Sequence, residues 1–140
     1  MKTELTAIPA QPAPRWMVVD DNRDLLAMMS TTLAQLHGRP VECFDSPQAA
    51  LNAFAAAPSE YEMVLTDYEM PGLDGIALCQ RLRALAPALK VFLATGSGFF
   101  TEAAARHAGF QALLNKPFPL SALRETLAAA GLEIHLAHQS

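Results

Sequence analysis

Three acids, one hydroxyl and one ammonium stand where short apolar runs of this chain break off. Asp20 and Asp21 follow Trp16-Met17-Val18-Val19, Asp67 follows Met63-Val64-Leu65-Thr66, Thr95 follows the run from Leu89 to Ala94, and Lys116 follows Gln111 to Asn115. Carboxylates held close together raise one another's pKa, a conflict that a divalent cation removes. An oxygen-only set without His or Cys favours Mg2+, which keeps several waters and shares its shell with phosphate oxygens. Lys116 offers a compact positive charge to a phosphate, Thr95 a hydroxyl donor, and Gly96 a backbone that a phosphoryl group can approach. These are the parts needed to hold a phosphorylated carboxylate. Asp67, at the end of the central run, is the leading candidate to carry the group. A single Asp after a strand more often caps a turn, and only the company of the other four residues changes that reading.

The elements that must bring these residues together can be traced along the chain. Trp16 to Val19 reads as a strand, and from Asn22 a helix is indicated by Leu26, Met29, Leu33 and Leu36, closing at Gly38. Pro40 to Phe44 forms a second strand. Ser46-Pro47 starts a second helix, with Leu51, Phe54 and Ala55 as its inner face and Pro58 as its end. The central strand runs into Pro71-Gly72-Leu73-Asp74-Gly75, a turn. Ile76, Cys79, Leu82 and Ala86 then repeat at helical spacing until Pro87. Leu89 to Ala94 is the fourth strand, Thr101 to His107 a short Ala-rich helix closed by Gly109, and Gln111 to Asn115 the fifth strand. Leu120, Leu123, Leu127 and Ala130 share one face of a last helix that ends at Gly131. Five strands alternating with five helices imply a parallel α/β sheet covered on both faces. In such a sheet the carboxyl ends of the strands share one edge, where ligands bind.

Composition narrows the function classes. At 140 residues the chain fits one domain. No apolar run is long enough to span a bilayer, and the opening Met1-Lys2-Thr3-Glu4-Leu5 does not read as a signal peptide, which points to a cytoplasmic protein without membrane contact. A net charge of -4, with Arg81, Arg83, Lys90 and Arg106 scattered, leaves no basic stripe for direct DNA binding. Cys43 and Cys79 lack metal or redox spacing and read as buried thiols. Residues 1–14, with Pro9, Pro12 and Pro14, form a flexible tail or linker, 15–131 the folded domain, and 132–140 a C-terminal tail. His135 and His138 could share a helix face as metal ligands, but no further ligand is evident and they read as part of a solvated tail, while His37 and His107 suit helix C-termini. Leu132, Ile134 and Leu136 alternate as in a strand and either cover the last helix or pair with a neighbour.

Four segments, Val18-Val19-Asp20-Asp21-Asn22, Leu65-Thr66-Asp67-Tyr68-x-Met70-Pro71-Gly72-x-Asp74-Gly75, Ala94-Thr95-Gly96 and Lys116-Pro117-Phe118, occur in this order. Together they resemble the receiver domain of two-component response regulators, from about Arg15 to Gly131. The resemblance implies a flavodoxin-like fold with strand order 2-1-3-4-5. It implies that Asp67 is phosphorylated from a phosphohistidine on a sensor histidine kinase or a phosphotransfer protein. It also implies that Asp21, Asp67 and the backbone carbonyl of Glu69 ligate Mg2+ while Asp20 acts through a bound water. Thr95 and Lys116 would hold the phosphoryl oxygens, the Lys116-Pro117 bond would be cis, and a downstream protein target would read the result. No enzymatic activity is implied beyond the chain's own phosphorylation and dephosphorylation.

Three positions depart from or colour that pattern. Relatives commonly carry Tyr or Phe three residues before the Lys, where this chain has Leu113; Phe99 and Phe100 are candidates for another mobile apolar contact or for ordinary packing. Glu69 and Ser97, two residues beyond Asp67 and Thr95, lie where the family adjusts water access to the phosphoryl group. Two other readings compete. A haloacid dehalogenase-type phosphohydrolase has an acid two residues after its nucleophile, as Glu69 follows Asp67, but that nucleophile follows the first strand. A binding module independent of phosphate is suggested by Leu113 and opposed by the complete acidic set.

Overall fold

The computed structural model describes residues 13–96, 98 and 100–135. Its strands are β1 (Arg15–Val19), β2 (Glu42–Phe44), β3 (Tyr61–Asp67), β4 (Lys90–Thr95) and β5 (Ala112–Asn115). The helices are α1 (Arg23–His37), α2 (Pro47–Ala56), α3 (Gly75–Leu85), α4 (Glu102–His107) and α5 (Leu120–Ala129). All neighbouring strands pair in parallel, in the order β2-β1-β3-β4-β5. This is the flavodoxin-like order, and it leaves every strand's carboxyl end on one edge of the sheet.

The strands read as unbroken apolar runs because both faces are covered. Trp16, Val18, Met63, Leu65, Phe92 and Ala94 face a layer built from α1 and α5, with Leu26, Leu33, Leu123 and Leu127 packed on them. Met17, Val19, Val64, Val91 and Leu93 face the other way, against Phe54 of α2, Leu78 and Leu82 of α3 and Ala105 of α4. Each large side chain so buried stabilises the fold by roughly 1.5–3 kcal/mol relative to exposure.

Helix ends follow local chemistry. Asn22 caps α1 by accepting from the Leu25 N–H at 3.0 Å, and Gly38 closes it at φ 74°. Ser46, Asp74 and Thr101 accept from the third residue beyond at 3.2, 2.8 and 3.0 Å, capping α2, α3 and α4. The helix after Ser46 buries Pro47, Ala50 and Phe54, and Ala55 is exposed, one step further round the helix than its expected inner face. Pro58 opens a single 3-10 turn, Pro58–Glu60, that delivers the chain to β3. Cys79 is buried as expected, but Cys43 is exposed, because β2 is the sheet edge and the helix layer covers it incompletely. Leu120, expected on the inner face of α5, is 39% exposed in that helix's first turn.

His37, in the last turn of α1, stacks on the indole of Trp16 with ring centroids 4.1 Å apart. The Trp16 Nε1–H donates to Glu62 at 2.6 Å. Beyond α5, Leu132 is buried in the α1–α5 layer and the His135 N–H donates to the Leu36 carbonyl at 2.6 Å. Residues 132–135 thus lie across the end of α1 without forming a strand. Residues 1–12, Ser97, Phe99, Leu136 and His138 lie outside the described residues.

Candidate functional site

The shared edge gathers all five residues singled out from the sequence. Asp20 leaves β1 with its N–H donating to the Phe44 carbonyl of β2 at 3.1 Å, while its Oδ1 accepts from the Asn22 N–H at 2.9 Å. Its side chain is only 1% exposed, so both bonds hold a buried carboxylate in place. Asp67 is the last residue of β3 and lies in register with Ala94. Lys116 directly follows β5, and its N–H donates to the Thr95 carbonyl at 2.9 Å, which ties the exits of β4 and β5 together. The Thr95 side chain is buried beside them.

Lys116 Nζ bridges two of the acids, at 2.9 Å from Asp20 Oδ2 and 3.2 Å from Asp67 Oδ1. Asp20, Asp21 and Asp67 each bring one carboxylate oxygen to within 4.8 Å of the others. Asp20 is buried, Asp67 half-buried and Asp21 exposed, so the cluster opens to solvent on the Asp21 side. Burial pushes the Asp67 carboxyl above its ordinary range; Lys116 opposes the shift and the neighbouring Asp20 adds to it. Burial disfavours the Lys116 ammonium, yet its hydrogen bond to Asp20 and the two carboxylate charges raise it overall. Three acids against one ammonium leave an excess of negative charge. All-oxygen donors, their spacing and that excess fit a hard divalent cation such as Mg2+. The side chain of Glu69 is exposed and lies between the Asp67 groove and a hollow shared with Asp21, Met70 and Asp74.

Other residues support the site through contacts that their types alone do not announce. Gly75, the first residue of α3, donates its N–H to the Tyr68 carbonyl at 2.8 Å, and a Cβ built there would stand 2.4 Å from the Asp67 carbonyl oxygen. Only glycine lets α3 start so close to the backbone of Asp67. The buried Thr66 hydroxyl donates to that same carbonyl at 2.9 Å. Beside the acids runs a groove of about 710 Å³ between α1 and the first turn of α5, with Asp67, Thr95 and Lys116 at its polar end. Leu25, Met28, Phe118 and Leu120 form its apolar wall, and Met28 is 60% exposed. Leu113 is half-buried and packs in the α2–α4 layer, as do Tyr68 and Phe100, whose rings meet edge to face. The Lys116-Pro117 peptide is cis.

Comparison with known proteins agrees with this geometry. The response regulator receiver domain family matches residues 16–128. The C4-dicarboxylate transport transcriptional regulatory protein DctD of Rhizobium meliloti is 41% identical over 86 residues, covering 61% of this chain and 18% of that protein. The virulence sensor protein BvgS of Bordetella bronchiseptica is 34% identical over 131 residues, covering 86% of this chain and 10% of that protein. The chain therefore spans less than a fifth of either relative. A response regulator receiver domain protein from Clostridium thermocellum superposes with a TM-score of 0.76 at 24% identity, over 84% of this chain and 93% of that one. With the sheet order, the acidic cluster and the bridging lysine in place, the chain belongs to the response regulator receiver domain family.

Proposed function

We propose that this chain is a phosphoacceptor switch in which Asp67 accepts a phosphoryl group from the phosphohistidine of a sensor histidine kinase or a phosphotransfer protein. The observation that carries the reading is the Lys116 ammonium bridging Asp20 and Asp67 within a cluster of three carboxylates. Asp20, Asp21, Asp67 and the backbone carbonyl of Glu69 would hold Mg2+. When bound, the ion would supply positive charge to the phosphoryl oxygens.

In the transfer, an Asp67 carboxylate oxygen forms a bond to phosphorus as the donor's P–N bond breaks, and the leaving imidazole keeps the electron pair. The charge that spreads over the equatorial oxygens is met by the Lys116 ammonium and the Thr95 hydroxyl. Gly75 and Thr66 hold the Asp67 backbone, so the carboxylate does not have to be reoriented during attack. The apolar wall of Leu25, Met28, Phe118 and Leu120 gives a protein donor a surface to rest on while its histidine reaches the polar end of the groove.

Acceptance places about two negative charges on Asp67. The same Lys116 and Thr95 that receive them lie on the exits of β5 and β4, so those exits are drawn toward β3 and a downstream protein target can read the new arrangement. Within this reading residues 15–131 form the switch, 1–14 and 132–140 flank it as tails, and it works in the cytoplasm. Its only chemistry is its own phosphorylation and dephosphorylation.

Incubation with a small phosphodonor and Mg2+, followed by intact mass measurement, tests the reading. Wild type is expected to gain one phosphoryl group, and both Asp67→Asn and wild type with a chelator to gain none. A label that persists in Asp67→Asn counts against it.

A further inference from the structure

We infer that the edge-to-face contact between Tyr68 and Phe100 is the mechanical link between Asp67 and helix α4, in a chain that carries Leu113 on β5. Tyr68 is covalently next to Asp67, and its carbonyl is fixed by the Gly75 N–H at 2.8 Å. Phe100 lies on the connection that leaves Thr95 and stands directly before Thr101, the N-cap of α4. The two rings meet with centroids 4.9 Å apart and planes at 75°. Both pack against the same apolar cluster as Ala105 and Leu113.

The pair therefore spans the exits of β3 and β4, which carry the acceptor carboxylate and the Thr95 hydroxyl. Phe100 also occupies the position just before the N-cap, and Ala105, the fourth residue of α4, is fully buried in the shared cluster. Apolar residues at these two places fix the angle at which a chain enters a helix. Displacing Phe100 consequently reorients the start of α4.

A phosphoryl group between Asp67 and Thr95 changes the separation of the two exits, and with it the fit of the rings. The link assigns the ring contact, with centroids 4.9 Å apart, to the unmodified arrangement of the two exits, so that it opposes the phosphorylated one. Leu113 is aliphatic and offers no ring in this layer, where Tyr68 adjoins the acceptor in sequence and meets the ring of Phe100. By linkage, breaking the contact strengthens binding of any phosphoryl mimic. The inference rests on Asp67 being the phosphoacceptor.

The test is titration with beryllofluoride in Mg2+, with amide hydrogen exchange read at Glu102 to His107. Phe100→Ala and Tyr68→Leu are each expected to bind beryllofluoride about two- to tenfold more tightly than wild type, the range that an aromatic pair contributes. Their double variant is expected to gain no more than either alone, because the contact can be lost only once. Tyr68→Phe keeps the ring and is expected to bind as wild type does. In wild type beryllofluoride is expected to change exchange in α4, and in Phe100→Ala that change is expected to vanish. Thermal unfolding of each variant confirms that it is folded, and Tyr68→Leu serves if Phe100→Ala is not. Unchanged or weaker binding in the single variants, or fully additive effects in the double variant, overturns the link alone. Failure of wild type to bind beryllofluoride, or equal binding by Asp67→Asn, overturns the phosphoacceptor reading and the link with it.

Discussion

Replacing Lys116 by Met removes the positive charge between two carboxylates and keeps most of the side chain's length. Lys116 is 16% exposed at its side chain, Asp67 15% and Asp20 1%, so the carboxylates left behind lie largely out of water. Removing one partner of such a buried set costs ~3–5 kcal/mol. The lower end applies here, because the cluster opens to solvent at Asp21 and Asp67 can take up a proton. For a chain of this size about 3 kcal/mol lowers Tm by roughly 10 °C. Magnesium has the opposite sensitivity. With one positive charge fewer in the cluster, Mg2+ is expected to bind at least about tenfold more tightly, since two unit charges a few ångströms apart interact by a few kcal/mol at an effective dielectric of 20. Ligand at a hundred times its Kd adds about 2.7 kcal/mol to the folded state, so Mg2+ is expected to return most of the lost stability. Calorimetry of wild type and Lys116→Met, across a Mg2+ series at low ionic strength, reads both effects. A variant with the wild-type Tm, or one whose response to Mg2+ equals that of wild type, would refute the reasoning that Lys116 holds an over-charged cation site.

Gly75→Ala would press a Cβ against the Asp67 carbonyl, because the ideal position is 2.4 Å away; a loss of about 1–3 kcal/mol in chemical denaturation and slower labelling from a small phosphodonor are expected. Asp21→Asn changes an exposed acid, so stability in the absence of Mg2+ should stay within about 0.5 kcal/mol of wild type while Mg2+ affinity falls tenfold or more in a fluorescence titration. Burial lowers the His37 pKa from its ordinary 6.5. The unfolded chain then binds the proton more readily, so this contribution is complete above about pH 6.5 and is lost as pH falls through the lowered folded value. Trp16 is the single tryptophan and stacks on His37, so denaturation followed by its emission should show that loss in wild type and its absence in His37→Gln. Thr95→Val is expected to retain labelling at a reduced rate and to lose the phosphorylation-dependent change in affinity for a partner protein, measured by calorimetric binding.

Much of the fold is legible in the chain because parallel strands covered on both faces leave continuous apolar runs. Val18-Val19, Val64-Leu65 and Leu93-Ala94 are visible without any knowledge of their partners. The residues that end those runs are legible for the same reason, since a charge such as Asp67 or Lys116 stands out after buried aliphatics. Strand order and the cis bond before Pro117 came only with the resemblance, as no local pattern encodes which strand lies beside which. Ala50 and Ala55 are indistinguishable by type, so the buried one had to be decided by the packing of α2. Cys43 is exposed because it sits on the edge strand, a fact about topology. Met28 and Leu120 line a groove between α1 and α5, and residues so far apart in sequence give no periodic signal of being neighbours. Gly75 reads as an ordinary turn residue beside Asp74, and its close approach to the Asp67 carbonyl appears only in three dimensions. The meeting of Tyr68 with Phe100 is a single contact between two loops, again without a period to betray it.

The claim on which the account turns is that the group is carried by Asp67 itself. Reductive trapping of the acyl phosphate with borohydride, after labelling in Mg2+, converts the modified aspartate to homoserine and marks its position in a peptide mass spectrum. The account predicts the mark at Asp67 alone, with Asp20 and Asp21 unmodified. A mark on either of those acids, or a stable label on a hydroxyl or imidazole elsewhere, would contradict it.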